Sequence, residues 1–382
     1  MKKISNFIVL GDAISQKNGG SASFSELALS LKKVSNTSVA TRFGKLDSFI
    51  YRHPRFHEFK KNIYNFPLNL SDNCFRKVPL KYQILSNILH NDIPTSLHQK
   101  CSLIIDCYGT NSQATKLHYN NDAKVIRMHN GSVKAFSHYF GRGSNLKDCN
   151  PLDRYKKMML QYDGLIFQSH EQLIEAKQIL GEKMPMVTIE PTINECALVD
   201  VPQSNFDSKK FRIVQIASIQ PRKNQIAALA FLLQLRNLGI EATIRFLGSV
   251  EDHNYFQKMK DFEISNNLSG SVFYNGFEAD YTKFYSETDC VIIPSLAEGV
   301  SRTLREALYL KKLVVINEFI GSKNFIKNKQ AVSIKDLSFF KTHAHTVKSN
   351  FSQVVSNGRL LYDSVYNTEN YPNRIMDKLN LF

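Results

Sequence analysis

Tryptophan is absent from the 382 residues, and so is any Asp-x-Asp pair. The second absence bears on chemistry. No spacing of carboxylates or histidines in the chain would build a divalent-cation site, so no metal is expected. An anionic substrate would then be neutralised by protein cations and backbone N–H groups alone. Cysteine is sparse. Cys74, Cys101, Cys107, Cys149, Cys196 and Cys290 include no Cys-x-x-Cys pair and have no histidine cluster beside them. That spacing argues against a zinc site or a disulfide framework, and for reduced thiols in a cytoplasmic protein. No run of about 18 uncharged apolar residues exists, so no transmembrane helix is expected. The opening residues 1–10 carry two lysines and a short apolar run that stops at Gly11-Asp12 without a small-residue cleavage site. They read as a first β-strand and not as a signal peptide.

Acidic charge is also in short supply. Lys and Arg number 49 against 34 Asp and Glu, a formal net charge of +15. Such a balance favours an anionic partner: nucleic acid, an acidic membrane surface or a phosphorylated substrate. The excess is concentrated between Lys32 and Lys100, where twelve basic residues stand against four acidic ones, a net of +8. Arg52-His53-Pro54-Arg55 and Lys60-Lys61 lie in this stretch. It reads either as a solvated basic surface or as a patch for peripheral contact with anionic membrane. No zinc-finger or glycine–aromatic recognition signature accompanies it, so no nucleic acid is expected.

What the chain does have is a core. Hydrophobic residues make up 43% of it, and its length suits two domains. Apolar, β-branched runs alternate with longer amphipathic stretches. Expected strands in the first half are Phe7–Leu10, Ser38–Arg42, Leu103–Cys107, Val125–His129, Leu165–Ser169 and Val187–Glu190. In the second half they are Arg212–Ala217, Thr243–Leu247, Val272–Asn275, Cys290–Pro294 and Leu313–Asn317. Most are continuous apolar runs, the pattern of strands buried on both faces. Between them, Phe24, Leu27, Ala28 and Leu31 form a helical stripe, and Ile226, Leu229, Phe231, Leu232 and Leu233 a broader one. Strand–helix alternation of this kind implies α/β architecture with parallel sheets. The polar, turn-rich segment 197–210 reads as a linker. It divides the chain into domains at 1–196 and 211–382, with a ligand site expected in a cleft beyond the carboxyl ends of the strands.

Three segments can carry chemistry. In Pro294-Ser295-Leu296-Ala297-Glu298-Gly299-Val300-Ser301, a buried strand gives way to a turn and then to a helix starting near Ser301 and containing Glu306. The first-turn N–H groups of that helix, with the positive end of its dipole, suit a diphosphate. Gly299 lets the backbone approach closely. Glu298 can accept from sugar hydroxyls, and Glu306, two turns along, from both hydroxyls of a ribose, because a carboxylate has two accepting oxygens. The plainer alternative is a Ser295-x-x-Glu298 capping box with Glu306 as a surface carboxylate. In Ser218-Ile219-Gln220-Pro221-Arg222-Lys223-Asn224, two adjacent cations follow a strand. They can hold a phosphate and favour a departing nucleoside diphosphate, or simply face water. In the third, Gly19-Gly20 frees the backbone after the first strand, and Ser23 with Glu26 forms a capping box that would start a helix there. The same arrangement exposes N–H groups toward a phosphate of the donor or toward an acceptor, and equally fits a plain connecting turn. His129, at the end of its strand, is open to a sugar-hydroxyl contact, to proton movement or to a structural role.

Taken together, these segments resemble glycosyltransferase family 4 and its GT-B relatives. The likeness is closest over residues 211–318. There Ile216-Ala217-Ser218 through Lys223-Asn224 is followed by Phe246-Leu247-Gly248, by Phe273-Tyr274-Asn275-Gly276-Phe277, and by Pro294-Ser295 through Glu298-x7-Glu306-Ala307. The resemblance implies two Rossmann-like domains facing a central cleft. Residues 1–196 would be the acceptor side and 211–382 the nucleotide-sugar side, with the last helix able to pack back on the N-terminal domain. Lys223 and Arg222 would bind the donor diphosphate, Glu298 the donor sugar and Glu306 the ribose. Backbone N–H groups of Gly299, Val300 and Ser301 would meet the phosphates, with Ser218 and Gly248 alongside. Gly19 and Gly20 resemble the family's glycine loop, and His129 its cleft histidine. Ser169 and Pro191-Thr192-Ile193-Asn194 resemble positions near the domain junction.

Two departures stand out. Ser218 occupies a place where the family often has arginine, and Lys311 and Leu313 stand where a small residue and a proline are usual. Arg222 can make up the missing phosphate contact. The implied activity is metal-independent, retaining transfer of a hexose or N-acetylhexosamine from a nucleoside-diphosphate sugar, with UDP favoured. The acceptor would be a glycan or lipid-linked hydroxyl in polysaccharide or lipopolysaccharide assembly on the inner face of the cell membrane, and no cofactor is implied. A GT-B sugar-nucleotide epimerase or a non-enzymatic anion- or membrane-binding protein are the competing readings. The Glu-x7-Glu context argues against the last, since an anion binder gains nothing from carboxylates.

Overall fold

A computed structural model of the chain describes residues 6–11, 19–41, 63–65, 101–107, 122–129, 131, 150–201, 210–278, 280–319, 321–343 and 347–382. Arg52-His53-Pro54-Arg55, Lys60-Lys61, Cys74, Cys149 and residues 202–209 of the expected linker lie outside the described residues. The chain forms two compact units, Met1–Thr192 with Thr368–Phe382, and Ile193–Asn367.

The first unit is built on a seven-stranded sheet of β1 (Asn6–Gly11), β2 (Asn36–Thr41), β3 (Ile63–Asn65), β4 (Leu103–Asp106), β5 (Lys124–His129), β6 (Gly164–Phe167) and β7 (Met186–Thr188). Their spatial order is β3-β2-β1-β4-β5-β6-β7, and every pairing is parallel. The second unit carries β8 (Phe211–Ile216), β9 (Ala242–Leu247), β10 (Val272–Gly276), β11 (Cys290–Ile293), β12 (Leu313–Ile316) and β13 (Val332–Ser333). These are again all parallel, in the order β10-β9-β8-β11-β12-β13.

The two-residue period of a strand explains why the sequence runs are continuous and not alternating. Phe7 and Val9 of β1 join one apolar cluster, while Ile8 and Leu10 join another on the opposite face. Cys290 and Ile292 of β11 divide from Val291 and Ile293 in the same way. Helices cover each face. Helix α1 (Gly19–Val34) brings Phe24, Leu27, Ala28 and Leu31 to the first sheet, and α2 (Pro151–Met159) and α3 (His170–Leu180) lie against its other face. On the second sheet, α4 (Gln225–Asn237) and α5 (His253–Ser265) cover one face and α6 (Arg302–Tyr309) the other. Helices α7 (Lys323–Lys327), α8 (Leu337–His343) and α9 (Val347–Leu361) follow, and α10 (Tyr371–Leu379) ends the chain in the first unit.

Side-chain caps fix several helix starts. Asn150 accepts from the N–H of Leu152 at 3.0 Å, Ser169 from Gln172 at 3.3 Å and Asp252 from Tyr255 at 2.9 Å. The expected capping box of Ser23 and Glu26 is not one of these. Helix α1 begins at Gly19, a full turn earlier, so both residues sit inside it and are buried. The expected strands all form, but β3 and β13 were not among them. They are the outermost strands of their sheets and only three and two residues long.

In both sheets the strand order reverses beside the first strand, between β1 and β4 and between β8 and β11. At such a switch point the loops after neighbouring strands lead in opposite directions, which opens a crevice for ligand.

Candidate functional site

The switch point of the second sheet brings two of the three sequence segments into contact. After β8 the chain makes a 3-10 turn over Pro221–Lys223 and leaves it through Asn224, which is left-handed at φ 52° and ψ 48°. Asparagine tolerates that conformation better than most residues, and here its side-chain amide also donates to the carbonyl of Pro294 at 3.2 Å. Gln215 donates to the carbonyl of Lys223 at 2.9 Å. From the facing loop after β11, the N–H of Leu296 donates to the carbonyl of Arg222 at 2.9 Å, and Arg222 Nη1 returns a bond to Ala297 at 3.0 Å. Asn317 closes the floor, donating to Ser295 at 3.2 Å.

These bonds hold the charged side chains together. The Lys223 ammonium donates to Oε1 of Glu298, and Arg222 Nη1 lies 3.4 Å from the same oxygen. The Glu298 side chain is only 11% exposed, so the three charges share a poorly hydrated place where their interaction is strong. Gly248, at the end of β9, approaches so closely that a Cβ there would meet the Ala217 carbonyl oxygen at 2.1 Å. Its φ of 154° is in the range side chains rarely adopt, and its N–H donates to Gly276 at 2.7 Å. Ser218, at the end of β8, accepts from Gln220 at 2.8 Å.

Past Gly299 and Val300 the chain enters α6 with Ser301 at its N-cap position. The Ser301 hydroxyl pairs with Thr303 at 2.8 Å and makes no cap bond to the helix backbone. Arg305, one turn further, is almost completely buried and reaches back toward the carbonyls of Ser301 and Val300, each at 3.4 Å.

Glu306 is no surface carboxylate, since only 3% of it is exposed. Tyr281 donates to its Oε1 at 2.6 Å and Tyr285 to its Oε2 at 2.8 Å. Arg302 Nε lies 3.5 Å from Oε1. Burial and the neighbouring Glu306 push the Tyr285 hydroxyl well above its ordinary pKa, so it stays a donor. The sequence reading missed both tyrosines. Their four-residue spacing was the one available sign, and nothing tied it to a helix twenty residues on.

In the first unit, Gly19 and Gly20 are the opening residues of α1, and the chain from Asp12 to Asn18 lies outside the described residues. His129 is fully buried at the end of β5, with Tyr155 edge-on at 5.6 Å and Phe167 at 5.7 Å. Burial, together with the Arg127 charge, lowers its pKa to about 3. The imidazole is therefore neutral near pH 7. Its Nδ1 lies 2.7 Å from the Gly131 carbonyl and 3.3 Å from the Gly131 N–H, so the backbone of one residue holds this edge of the ring. Beside it, Arg127 pairs with Asp106 at 3.5 Å, and Tyr162 donates to the other Asp106 oxygen at 2.8 Å, all buried.

Residues 199–360, within the unit that carries this crevice, match the family Glycosyl transferases group 1. The second unit resembles that family over most of its length. Likeness of fold extends further than likeness of sequence. The Anabaena protein HepE, solved in complex with UDP and glucose, matches over 99% of this chain and 100% of its own at a TM-score of 0.71 and 13% identity. Sucrose-phosphate synthase from Thermosynechococcus elongatus matches over 99% and 98%, with a TM-score of 0.72 and 12% identity. WaaG, a glycosyltransferase involved in lipopolysaccharide biosynthesis, matches over 97% and 98%, with a TM-score of 0.66 and 13% identity. At these identities the likeness is one of fold, and that fold is GT-B. No curated protein matches this chain in sequence.

Proposed function

We propose that the chain is a retaining glycosyltransferase that moves a hexose or N-acetylhexosamine from a nucleoside-diphosphate sugar, with UDP favoured, to a hydroxyl of a cell-surface glycan or its lipid-linked precursor. The observation that carries the reading is the meeting of Lys223, Arg222 and Glu298 at the switch point of the second sheet, with Glu306 on the helix that follows. Complexes of HepE with UDP and with UDP-glucose support the choice of nucleotide, and WaaG supports the acceptor class.

In this reading Lys223 and Arg222 take the diphosphate, joined by the backbone N–H groups of Gly299, Val300 and Ser301. Gly248 and Ser218 form the floor, and no metal is needed. Glu298 turns to the donor sugar and Glu306 holds the ribose. Gly19 and Gly20 serve donor binding, and His129 meets a sugar hydroxyl or helps move a proton. The bond from the anomeric carbon to the diphosphate breaks, and the bond to the acceptor oxygen forms on the same face. The acceptor's proton passes to the departing diphosphate. The cations accelerate this step only by holding the separated diphosphate more strongly than the intact donor.

A thermal-shift screen against UDP, GDP, ADP and CMP and their sugar conjugates, without added metal, tests the reading. Selective stabilisation by UDP and a UDP-sugar is expected, because a ligand that binds only the folded state raises its apparent stability. The shift should vanish in Lys223→Ala and Glu306→Ala proteins that still fold. Absence of a shift with every nucleotide would overturn the proposal.

A further inference from the structure

The hydroxyls that bind the Glu306 carboxylate come from outside its own helix, which contributes only the Arg302 guanidinium beside it. Both carboxylate oxygens are bound by hydroxyls from the segment that follows β10: Tyr281 on Oε1 at 2.6 Å and Tyr285 on Oε2 at 2.8 Å. Tyr285 is fully buried, and its ring stands edge-on to that of Tyr281 at 6.3 Å. The Arg302 guanidinium lies over the Tyr281 ring at 5.1 Å and beside Oε1 at 3.5 Å. A carboxylate has about four lone-pair positions. Two donors, one on each oxygen, fix the plane of the group and leave a lone pair on each oxygen pointing elsewhere. Two vicinal hydroxyls require just that arrangement of acceptors, while a freely turning carboxylate would lose entropy on meeting them.

We propose that Tyr281 and Tyr285 are positioning residues for ribose recognition: they lock the Glu306 carboxylate so that its remaining lone pairs accept the 2′- and 3′-hydroxyls of the donor nucleotide. The inference rests on the reading of Glu306 as the ribose-binding residue. The tyrosines touch the ribose only through Glu306. They therefore set the preference for a ribose over a deoxyribose and leave the diphosphate contacts alone.

The test compares UDP with 2′,3′-dideoxy-UDP by titration calorimetry in the wild-type, Tyr281→Phe and Tyr285→Phe proteins. The wild type should prefer UDP. Each phenylalanine variant should lose about five- to tenfold in UDP affinity, the size of one misdirected hydrogen bond to a charged group. Its affinity for the dideoxy ligand should stay within about twofold. Equal losses for both ligands would mean that the tyrosines only support the fold of the loop, and would overturn the inference. So would unchanged UDP affinity. Should Tyr285→Phe fail to fold, the less buried Tyr281 carries the comparison. Binding of neither ligand by the wild type would instead sink the glycosyltransferase reading itself. Equal binding of the two by the wild type would leave the diphosphate site standing and remove the ribose role alone.

Discussion

Lys223 and Arg222 both reach one oxygen of Glu298, so each cation that a diphosphate needs is already partly satisfied. Binding a donor would exchange a carboxylate for phosphate oxygens, and the carboxylate would be released toward the sugar. A Glu298→Gln protein should therefore bind UDP about five- to tenfold more tightly, since the competing charge is gone, while sugar transfer falls. Calorimetry and a UDP-release assay measure the two effects; unchanged UDP affinity would show that the triad does not open on binding. His129 gives a second residue-scale expectation. Its pKa is about 3 in the folded chain, against about 6.5 for an ordinary histidine. Between those values the unfolded chain holds a proton that the folded chain does not, so stability falls as pH drops from 6.5 toward 3. Replacing His129 by Asn should reduce the loss between pH 7 and pH 5 by about 2 kcal/mol, from 1.5 units at 1.36 kcal/mol each. Urea unfolding of both proteins at the two pH values checks it.

At the scale of elements, the crevice depends on how the strand ends meet. Gly248 sits where β8 and β9 finish, with the Ala217 carbonyl in the place a Cβ would need. Gly248→Ala should therefore displace the loop carrying Ser218 to Lys223 and cost several kcal/mol, since neither the φ of 154° nor the backbone clash is relieved by a rotamer. Loss of UDP binding together with a lowered melting temperature is expected. The same level shows what a reader of the sequence can see. Central strands were legible because burial on both faces forces unbroken apolar runs such as Val291-Ile292-Ile293 and Leu313-Val314-Val315. The edge strands β3 and β13 were not, because so few residues leave no periodicity to read. The start of α1 was misread because Ser23 and Glu26 have the right spacing for a cap, yet buried polar residues inside a helix have that spacing too. The Lys223 and Glu298 segments were visible as local motifs. The bond between them spans 75 residues of chain, and the pairing of Tyr281 with Glu306 spans 25, so neither could be read from local pattern.

At the scale of the whole molecule, the chain passes between its two units twice, after Thr192 and before Thr368. Thr192 and Thr368 share a hydroxyl–hydroxyl bond of 2.8 Å, so the outgoing and returning segments are tied at the point of passage. No helix among the described residues is long and apolar enough to cross a membrane. The returning helix α10 is part of the first unit's core. Tyr371, Ile375 and Leu379 are fully buried there with Phe24, Leu27 and Leu31 of α1 and with Val9 of β1. The far end of the sequence therefore stabilises the unit that the beginning builds, although the second unit lies between them in the chain. Ile375→Ala removes buried methyl groups from that core and should cost about 2–5 kcal/mol. The loss should be confined to the first unit. Amide hydrogen exchange should quicken in β1, β4 and β5 and stay unchanged in β8, β11 and β12, because a local opening exposes only the cooperative unit that contains it. Faster exchange in both sheets would show that the units unfold as one body, and the UDP shift would then report on the first unit as much as on the second.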